Sequence, residues 1–208
     1  MIHHDDFRRV LPTLDAESVA CVITSPPFWT AHGGPEWGGE AEGVDYLLRF
    51  VALGTALQRV LDPTGTLWLV LGGQRPPFET LRALAGIGWY IASASAWDAS
   101  VVAQLHRTPD HQPLFSPLPP YEAVCTDQPY APLSRRFIRR CVEVSTREGD
   151  LILDPCCGTG TVGIVAGKLN RRFIGIEVDE GACHLARARV GWAVDRQRWC
   201  LSRKKPRR

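Results

Sequence analysis

The segment Thr-Ser-Pro-Pro-Phe-Trp at residues 24–29 carries the side chains most suited to chemistry in this 208-residue sequence. It follows an apolar run at 19–23, which predicts a short buried strand. Each proline lacks an N–H donor and fixes its own φ, and Pro27 also keeps Pro26 out of the helical region. The expected structure is a stiff corner at the carboxyl end of a strand, which presents the Ser25 hydroxyl, backbone carbonyls and the Phe28 ring.

Carbonyl acceptors beside an aromatic face suit a planar group that bears an exocyclic NH2. The amine donates its hydrogens to the oxygens while the planar ring stacks on the aromatic side chain. A rigid turn with a half-buried phenylalanine is the simpler interpretation of the same residues, and a second motif is needed to choose between the two.

The second motif is Asp-Pro-Cys-Cys-Gly-Thr-Gly-Thr at residues 154–161, between a strand-like run at 151–153 and a helix-patterned stretch at 162–169. Gly158, Gly160 and Gly163 match G-x-G-x-x-G, the pattern of a nucleotide-binding turn between a strand and a helix. Glu177 ends the next predicted strand at about the twenty-residue spacing that such folds use to bind a ribose diol. These residues together predict a cofactor that contains a nucleoside.

The carboxylate of Asp154 at the strand end favours a cationic ligand over a pyrophosphate. S-adenosylmethionine carries an ammonium and a sulfonium and has no phosphate, so it fits this position better than NAD does. An NAD-dependent oxidoreductase is the alternative, and it rests on the glycines alone.

Strand-like and helix-like patterns alternate along the chain. Strands are predicted at 18–23, 66–71, 88–96, 121–126, 150–153 and 172–177, and helices at 44–60, 77–85, 132–144, 161–169 and 180–191. Such alternation indicates an α/β fold with a mostly parallel sheet. Both motifs then follow carboxyl ends of strands, where open sheets of this kind bind ligands.

Composition sets broad limits on the protein. A chain with 45% hydrophobic residues is expected to form one sizeable domain, here residues 1–201, followed by a basic tail at 202–208. No apolar stretch is long enough to span a bilayer and no leader is recognised, so we expect a cytoplasmic protein. The cysteines include no C-x-x-C pair, and we expect neither a metal nor disulfides.

Positive charge is concentrated at residues 187–208 and on the predicted helix at 132–144, which carries Arg135, Arg136, Arg139 and Arg140. Contact with the phosphates of a polyanion is one interpretation of these clusters. A solvated helix face followed by a disordered tail is the other.

The two motifs, in this order, resemble those of the β-class amino-methyltransferases of DNA, in which Ser-Pro-Pro-aromatic precedes the cofactor motif. The resemblance extends over nearly the whole chain. It includes Asp5-Asp6 followed by 10–14, the helix-turn-strand signature at 56–67, the segment from Pro132 to Asp150 before the cofactor strand, and 174–177. The family usually has Asp-Pro-Phe-x-Gly-Ser-Gly-Thr where this chain has Cys156 in place of phenylalanine, which removes an aromatic contact to the cofactor.

This resemblance implies a Rossmann-like methyltransferase fold, with helices on both faces of a twisted, mostly parallel sheet and the catalytic motif permuted ahead of the cofactor motif. In such a fold the catalytic and cofactor strands are expected to lie side by side, although the sequence separates them widely. It implies that S-adenosylmethionine is the cofactor. The residues it assigns to cofactor binding are Asp6, Thr24, Ser134, Asp154, Cys156, Gly158, Gly160, Thr161 and Glu177. The residues it assigns to catalysis are Ser25, Pro26, Pro27 and Phe28.

In the implied reaction, the amine of a base flipped out of double-stranded DNA donates to the Ser25 side chain and the Pro26 carbonyl while the base stacks on Phe28. Within the family, Ser-Pro-Pro occurs more often with cytosine N4, and Asp-Pro-Pro or Asn-Pro-Pro with adenine N6. We therefore expect a site-specific cytosine-N4 methyltransferase. The alternatives are an adenine-N6 enzyme, a catalytically silent cofactor-binding subunit, and an RNA substrate.

Family members usually carry a target-recognition region that has no evident counterpart in this sequence. Residues 98–120 are predicted to be a short irregular segment in its place. Three hypotheses follow: this segment reads a short site, the chain forms a homodimer, or a separate recognition subunit supplies the specificity.

Overall fold

The computed structural model describes residues 1–27, 43–72, 77–97, 100–110 and 133–202. Within these ranges the chain alternates between strands and helices, with one short 3-10 helix at Leu11–Thr13. The strands are β1 (Ile2–His4), β2 (Val19–Thr24), β3 (Leu61–Gly72), β4 (Tyr90–Trp97), β5 (Ser100–His106), β6 (Leu151–Asp154) and β7 (Arg172–Glu177). The helices are α1 (Phe7–Val10), α2 (Gly43–Val60), α3 (Pro77–Gly86), α4 (Arg135–Ser145), α5 (Thr161–Lys168) and α6 (Glu180–Ser202).

The strands form a seven-stranded sheet in the order β1-β7-β6-β2-β3-β5-β4. Neighbouring strands are parallel except around β5, which is antiparallel to both β3 and β4. The order reverses between β6 and β2, and crevices at such reversals are the usual ligand sites of open α/β sheets. The expected mostly parallel α/β sheet is therefore confirmed.

The two motif-bearing strands lie side by side at this reversal. Cys21 of β2 pairs with Ile152 of β6, and Val22 pairs with Leu153. Because these strands are parallel, their next residues leave the sheet at the same edge, so the Thr24 end of β2 and the Asp154 end of β6 are neighbours. More than a hundred residues of sequence separate two segments that the sheet places next to each other.

Helices cover both faces of the sheet. On one face, α1, α2 and α3 pack on residues such as Val22, Leu67 and Leu69; on the other, α4, α5 and α6 pack on Cys21, Ile23 and Trp68. Strands buried on both faces read as continuous apolar runs rather than as alternating ones. This burial explains why β2, β3 and β6 are recognisable in the sequence.

Several features differ from the sequence-based prediction or were absent from it. Helix α1 and the 3-10 helix at Leu11–Thr13 were not predicted, and β3 begins at Leu61 rather than at 66. The interval 98–120 was expected to be irregular, but residues 100–106 form β5, which pairs with strands on both sides. Strand β1 was not predicted, because three residues are too few to give a pattern; it pairs with β7. Helix α6 continues to Ser202 rather than ending at 191, because a glycine inside a helix costs only about 1 kcal/mol relative to alanine and does not by itself end the helix. The strand predicted at 121–126 lies outside the described residues.

No helix in the described part of the chain combines the length and the hydropathy needed to cross a bilayer.

Candidate active site

The corner after β2 presents its groups at the carboxyl edge of the sheet. Thr24 is fully buried at the strand end, Ser25 is half-buried, Pro26 is buried and Pro27 is exposed. Within the described residues the Ser25 hydroxyl makes no hydrogen bond and is available to a ligand. Phe28, the aromatic residue of the predicted motif, lies outside the described residues.

One contact holds this corner from outside the motif. The hydroxyl of Tyr46, on α2, donates to the Pro27 carbonyl at 3.1 Å. Tyr46 is buried and packs against Phe50, with ring centroids 4.9 Å apart. The sequence carries no signal for this role, because Tyr46 reads there as one more apolar position of a helix.

The loop after β6 is tightly held by backbone hydrogen bonds. The Cys157 N–H donates to the Ile176 carbonyl at 2.9 Å, and the Gly160 N–H donates to the Cys157 carbonyl at 2.8 Å. The Cys156 N–H donates to the Asp154 carboxylate at 3.2 Å. The loop is therefore anchored to β7 and folded back beside the end of its own strand.

Glu177 joins this loop to the end of β7. One carboxylate oxygen accepts from the Gly158 N–H at 2.7 Å, and the other accepts from the Asp179 N–H at 3.0 Å. Each oxygen keeps a lone pair for a further donor, since a carboxylate can accept about four hydrogen bonds. The chain entering α1 lies beside the same strand end, because the Asp5 N–H donates to the Glu177 carbonyl at 3.1 Å.

The three glycines of the G-x-G-x-x-G motif are explained by different features of the structure. Gly158 has a positive φ of 49°, and a Cβ there would meet open space. Gly160 also has a positive φ, but its Cβ would lie 3.0 Å from the side chains of Ala186 and Val190 on α6. At Gly163 a Cβ would lie 2.5 Å from the Phe173 ring. The first glycine therefore leaves room for a ligand, whereas the other two allow α5 to pack closely against α6 and β7.

Negative charge is concentrated at the base of the site. Burial raises the pKa of Asp154 to about 7; the nearby Thr24 hydroxyl and the Cys156 N–H oppose this rise, and the charge of Glu177 adds to it. The Thr24 hydroxyl is itself buried and completes no hydrogen bond of good geometry among the described residues. No lysine or arginine of the described ranges forms an ion pair with Asp154 or Glu177.

Two carboxylates without a protein cation, beside an open glycine and an unsatisfied buried hydroxyl, fit a cationic ligand with hydrogen-bonding groups. S-adenosylmethionine has these properties: it carries an ammonium, a sulfonium and a ribose diol. NAD fits less well, because its pyrophosphate would add negative charge beside Asp154.

Cys156 is half-buried and packs against the core on the α1–α3 face. Burial, followed by the charges of Asp154 and Glu177, raises the pKa of its thiol well above the usual value. A thiol that stays protonated is a weak nucleophile, so this residue fills space beside the loop.

Asp6, Thr161 and Ser134 are the remaining residues that were predicted to bind the cofactor. Asp6 caps α1 by accepting from the Arg8 N–H at 2.7 Å, and the Arg8 guanidinium lowers the pKa of this carboxyl. Thr161 is buried at the first turn of α5. Ser134 precedes α4 with no side-chain capping bond, and no hydrogen bond among the described residues joins it to Asp154 or Glu177.

An open, mostly parallel sheet with this strand order, and with a polar corner and a glycine loop at its point of reversal, is the fold of the Rossmann-like S-adenosylmethionine-dependent methyltransferases. Within this class, residues 19–121 and 115–188 match the model of the DNA methylase family that modifies N6 and N4 amines. The chain belongs to this family: it is a DNA amino-methyltransferase of the restriction–modification type, and its cofactor is S-adenosylmethionine.

Curated relatives agree with this assignment. The chain is 27% identical to the type II methyltransferase M.SmaI of Serratia marcescens, over 89% of this chain and 88% of that protein. It is 26% identical to M.Cfr9I of Citrobacter freundii, over 84% and 82% of the two proteins.

Two solved structures share the fold. A protein of Thermus thermophilus, described as a DNA modification methylase and solved with S-adenosyl-L-methionine, has a TM-score of 0.67 at 24% identity, covering 93% of this chain and 95% of that one. The cytosine-N4-specific PvuII DNA methyltransferase has a TM-score of 0.71 at 18% identity, covering 97% and 92%.

Proposed function

We propose that this chain transfers the methyl group of S-adenosylmethionine to the exocyclic N4 amine of cytosine in double-stranded DNA. The observation that carries the proposal is the position of the half-buried Ser25 at the end of β2. Its hydroxyl makes no hydrogen bond within the described residues, and it lies beside the loop after β6 (residues 155–160), here called the cofactor loop. Ser-Pro-Pro is the form of this corner that, among the proteins it resembles, occurs more often with cytosine than with adenine.

The corner activates the amine by accepting its hydrogens. An amino group conjugated to a base is a poor nucleophile, because its lone pair is delocalised into the ring. The Ser25 hydroxyl and the Pro26 carbonyl accept the two hydrogens, which favours a pyramidal nitrogen and stabilises the positive charge that develops on it. After methyl transfer the nitrogen releases one proton to water, because a neutral hydroxyl and a carbonyl accept hydrogen bonds but do not take up the proton. Phe28 stacks on the flipped base.

The cofactor loop supplies the other half of the site. When bound, S-adenosylmethionine supplies an electrophilic methyl group on a sulfonium. The Glu177 oxygens accept from a ribose diol, the Asp154 carboxylate faces a cationic group, and Gly158 leaves room for close approach. Asp6, Thr24, Ser134, Cys156, Gly160 and Thr161 complete the proposed cofactor set. The two strands thereby bring nucleophile and methyl donor together, and such positioning lowers the barrier by itself.

Residues 1–201 form the proposed catalytic domain, since both helical layers pack on one sheet. Because β5 occupies residues 100–106, the part of the interval 98–120 left for reading the target begins at Arg107 and continues beyond the described residues. If this short interval does not select the target site, we propose that a homodimer or a separate recognition subunit selects it.

The decisive experiment identifies the modified base. The protein is incubated with unmethylated genomic DNA and S-adenosylmethionine, the DNA is digested to nucleosides, and the products are measured by mass spectrometry. A parallel reaction with S-adenosylhomocysteine is the control. We expect N4-methylcytosine. N6-methyladenine would overturn the assignment of the base, and the absence of both from a protein that binds the cofactor would favour a silent subunit or an RNA substrate.

Tyr46 is expected to position the corner. Tyr46→Phe removes only the hydroxyl that donates to Pro27, so the corner loses one hydrogen bond worth about 1 kcal/mol. We expect kcat to fall about fivefold, with unchanged affinity for S-adenosylmethionine and an unchanged melting temperature. Steady-state kinetics and calorimetric titration check this expectation.

Tyr90→Phe is the matched control, because Tyr90 is exposed on the edge strand β4. Equal kcat values for Tyr46→Phe and Tyr90→Phe would contradict a positioning role for Tyr46.

A further inference from the structure

Arg189, on α6, is hydrogen-bonded to the cofactor loop. Its guanidinium donates to the Thr159 carbonyl at 2.8 Å and also contacts the Thr159 hydroxyl. Thr159 lies between Gly158 and Gly160, so a half-buried cation stands directly on the glycine-rich turn. Both contacts use one terminal nitrogen, which leaves the other N–H groups of the fork for a further acceptor.

Arg135 lies on α4, which packs against α5, the helix that begins just after Thr159, and α6 packs against the same helix. Arg135 is the first residue of α4 and is exposed. Burial, and then the charge of Arg135, lowers the pKa of Arg189, although a guanidinium remains charged at neutral pH. Among the described residues no carboxylate pairs with either arginine, whereas Arg139, one turn further along α4, pairs with Glu143 at 2.9 Å. Two guanidinium groups on helices that pack against the same helix, without a counter-charge among the described residues, favour the binding of an anion.

The topology places this pair at the functional edge of the sheet. Helix α4 leads into β6 through the short connection 146–150, so the beginning of α4 lies toward the carboxyl end of β6. The Ser25 corner and the loop at 155–160 leave the sheet at that edge. The pair therefore stands beside the site rather than on the opposite rim.

We infer that Arg135 and Arg189 together bind one backbone phosphate of the DNA substrate beside the cofactor loop. This inference rests on the proposed action on duplex DNA, and it adds which residues bind the DNA backbone. Paired guanidinium groups suit a phosphate because their planar forks donate to its oxygens in parallel. Since Arg189 also holds Thr159, the same cation joins the DNA backbone to the loop that surrounds the cofactor.

The test measures binding of a fluorescent duplex oligonucleotide at several salt concentrations. Arg135→Ala is the main variant, because Arg135 makes no hydrogen bond with the loop among the described residues. We expect its Kd for the duplex to rise about tenfold at low salt, with the Kd for S-adenosylmethionine unchanged. For Arg135→Ala/Arg189→Ala we expect the slope of log K against log salt to fall by about 0.9, the value for one phosphate, and the two single effects to be non-additive.

Arg82→Ala is the matched control, since Arg82 is exposed on α3 on the other face of the sheet. Duplex binding by Arg135→Ala that equals that of Arg82→Ala would overturn the inference while leaving methyl transfer by the wild type intact. Weaker binding of S-adenosylmethionine with an unchanged salt slope would also overturn it, and would assign the pair to the carboxylate of the cofactor. A wild type that neither binds nor methylates a duplex would overturn both the inference and the proposed function.

Discussion

Ser25→Ala is expected to lower kcat for methyl transfer about a hundredfold, the size of effect seen when one preorganised hydrogen-bonding group of a catalytic site is removed. The Ser25 hydroxyl has no partner within the described residues, so its removal leaves no buried group unsatisfied. We therefore expect the melting temperature and the affinity for S-adenosylmethionine to stay at their wild-type values. Single-turnover methyl transfer, with calorimetric titration of the cofactor, measures the two quantities separately.

Ser93→Ala is the control for this substitution, because Ser93 is exposed on the edge strand β4. If Ser25→Ala and Ser93→Ala transfer methyl groups at the same rate, the hydroxyl is not an acceptor for the amine. Loss of cofactor binding together with the rate would place Ser25 in the cofactor site instead.

Asp154→Asn is expected to stabilise the folded protein and also to weaken its binding of S-adenosylmethionine. Burial raises the pKa of Asp154 from 3.8 to about 7, so keeping this carboxyl ionised above pH 7 costs the folded state about 4 kcal/mol. An asparagine keeps the acceptor for the Cys156 N–H and adds an amide donor that can reach the unsatisfied Thr24 hydroxyl. Thermal unfolding at pH 8 should show a melting temperature several degrees higher.

Asp154 makes both stability and cofactor affinity depend on pH, with opposite signs. The folded state binds the Asp154 proton more tightly than the unfolded state does, so this group makes stability fall as pH rises from about 4 to about 7. Binding of a cation should have the opposite trend, because it requires the ionised carboxylate and releases a proton. In the wild type, affinity for S-adenosylmethionine should therefore rise with pH through about 7, whereas Asp154→Asn should bind it weakly and lack that rise.

Asp15→Asn, which removes an exposed carboxylate far from the loop in sequence, should match the wild type in both measurements. Calorimetric titrations and melting curves from pH 5 to pH 8.5, roughly centred on the raised pKa, provide the comparison. An Asp154→Asn protein with wild-type affinity at pH 8 would show that this carboxylate does not face the cofactor.

Several features of the fold could be predicted because their causes are local. The runs that became β2 and β6 are apolar over their whole length since both faces of the sheet are covered. The two prolines after Ser25 end a strand wherever they occur, because they remove backbone donors. The α/β class and the position of both motifs at strand ends followed from such patterns. That the two motif-bearing strands are neighbours followed from the resemblance and is confirmed by the pairing of β2 with β6.

Other features depend on contacts between distant segments. Strand β5 was mistaken for an irregular segment, because its pairing with both β3 and β4 is what makes it a strand. Helix α6 brings Ala186, Val190 and Arg189 onto the cofactor loop, and nothing near these residues in sequence indicates that contact.

The sequence by itself determined the class of fold, the catalytic corner and the cofactor loop, since each depends on residues adjacent in the chain. Only the tertiary structure decided that Gly158 is open while Gly160 and Gly163 serve packing. It alone decided that Tyr46 donates a hydrogen bond to the corner, and that burial raises the pKa of Asp154 to about 7. The physical reason is that packing, hydrogen bonding and burial are properties of a whole neighbourhood, and that neighbourhood is assembled from segments far apart in the chain.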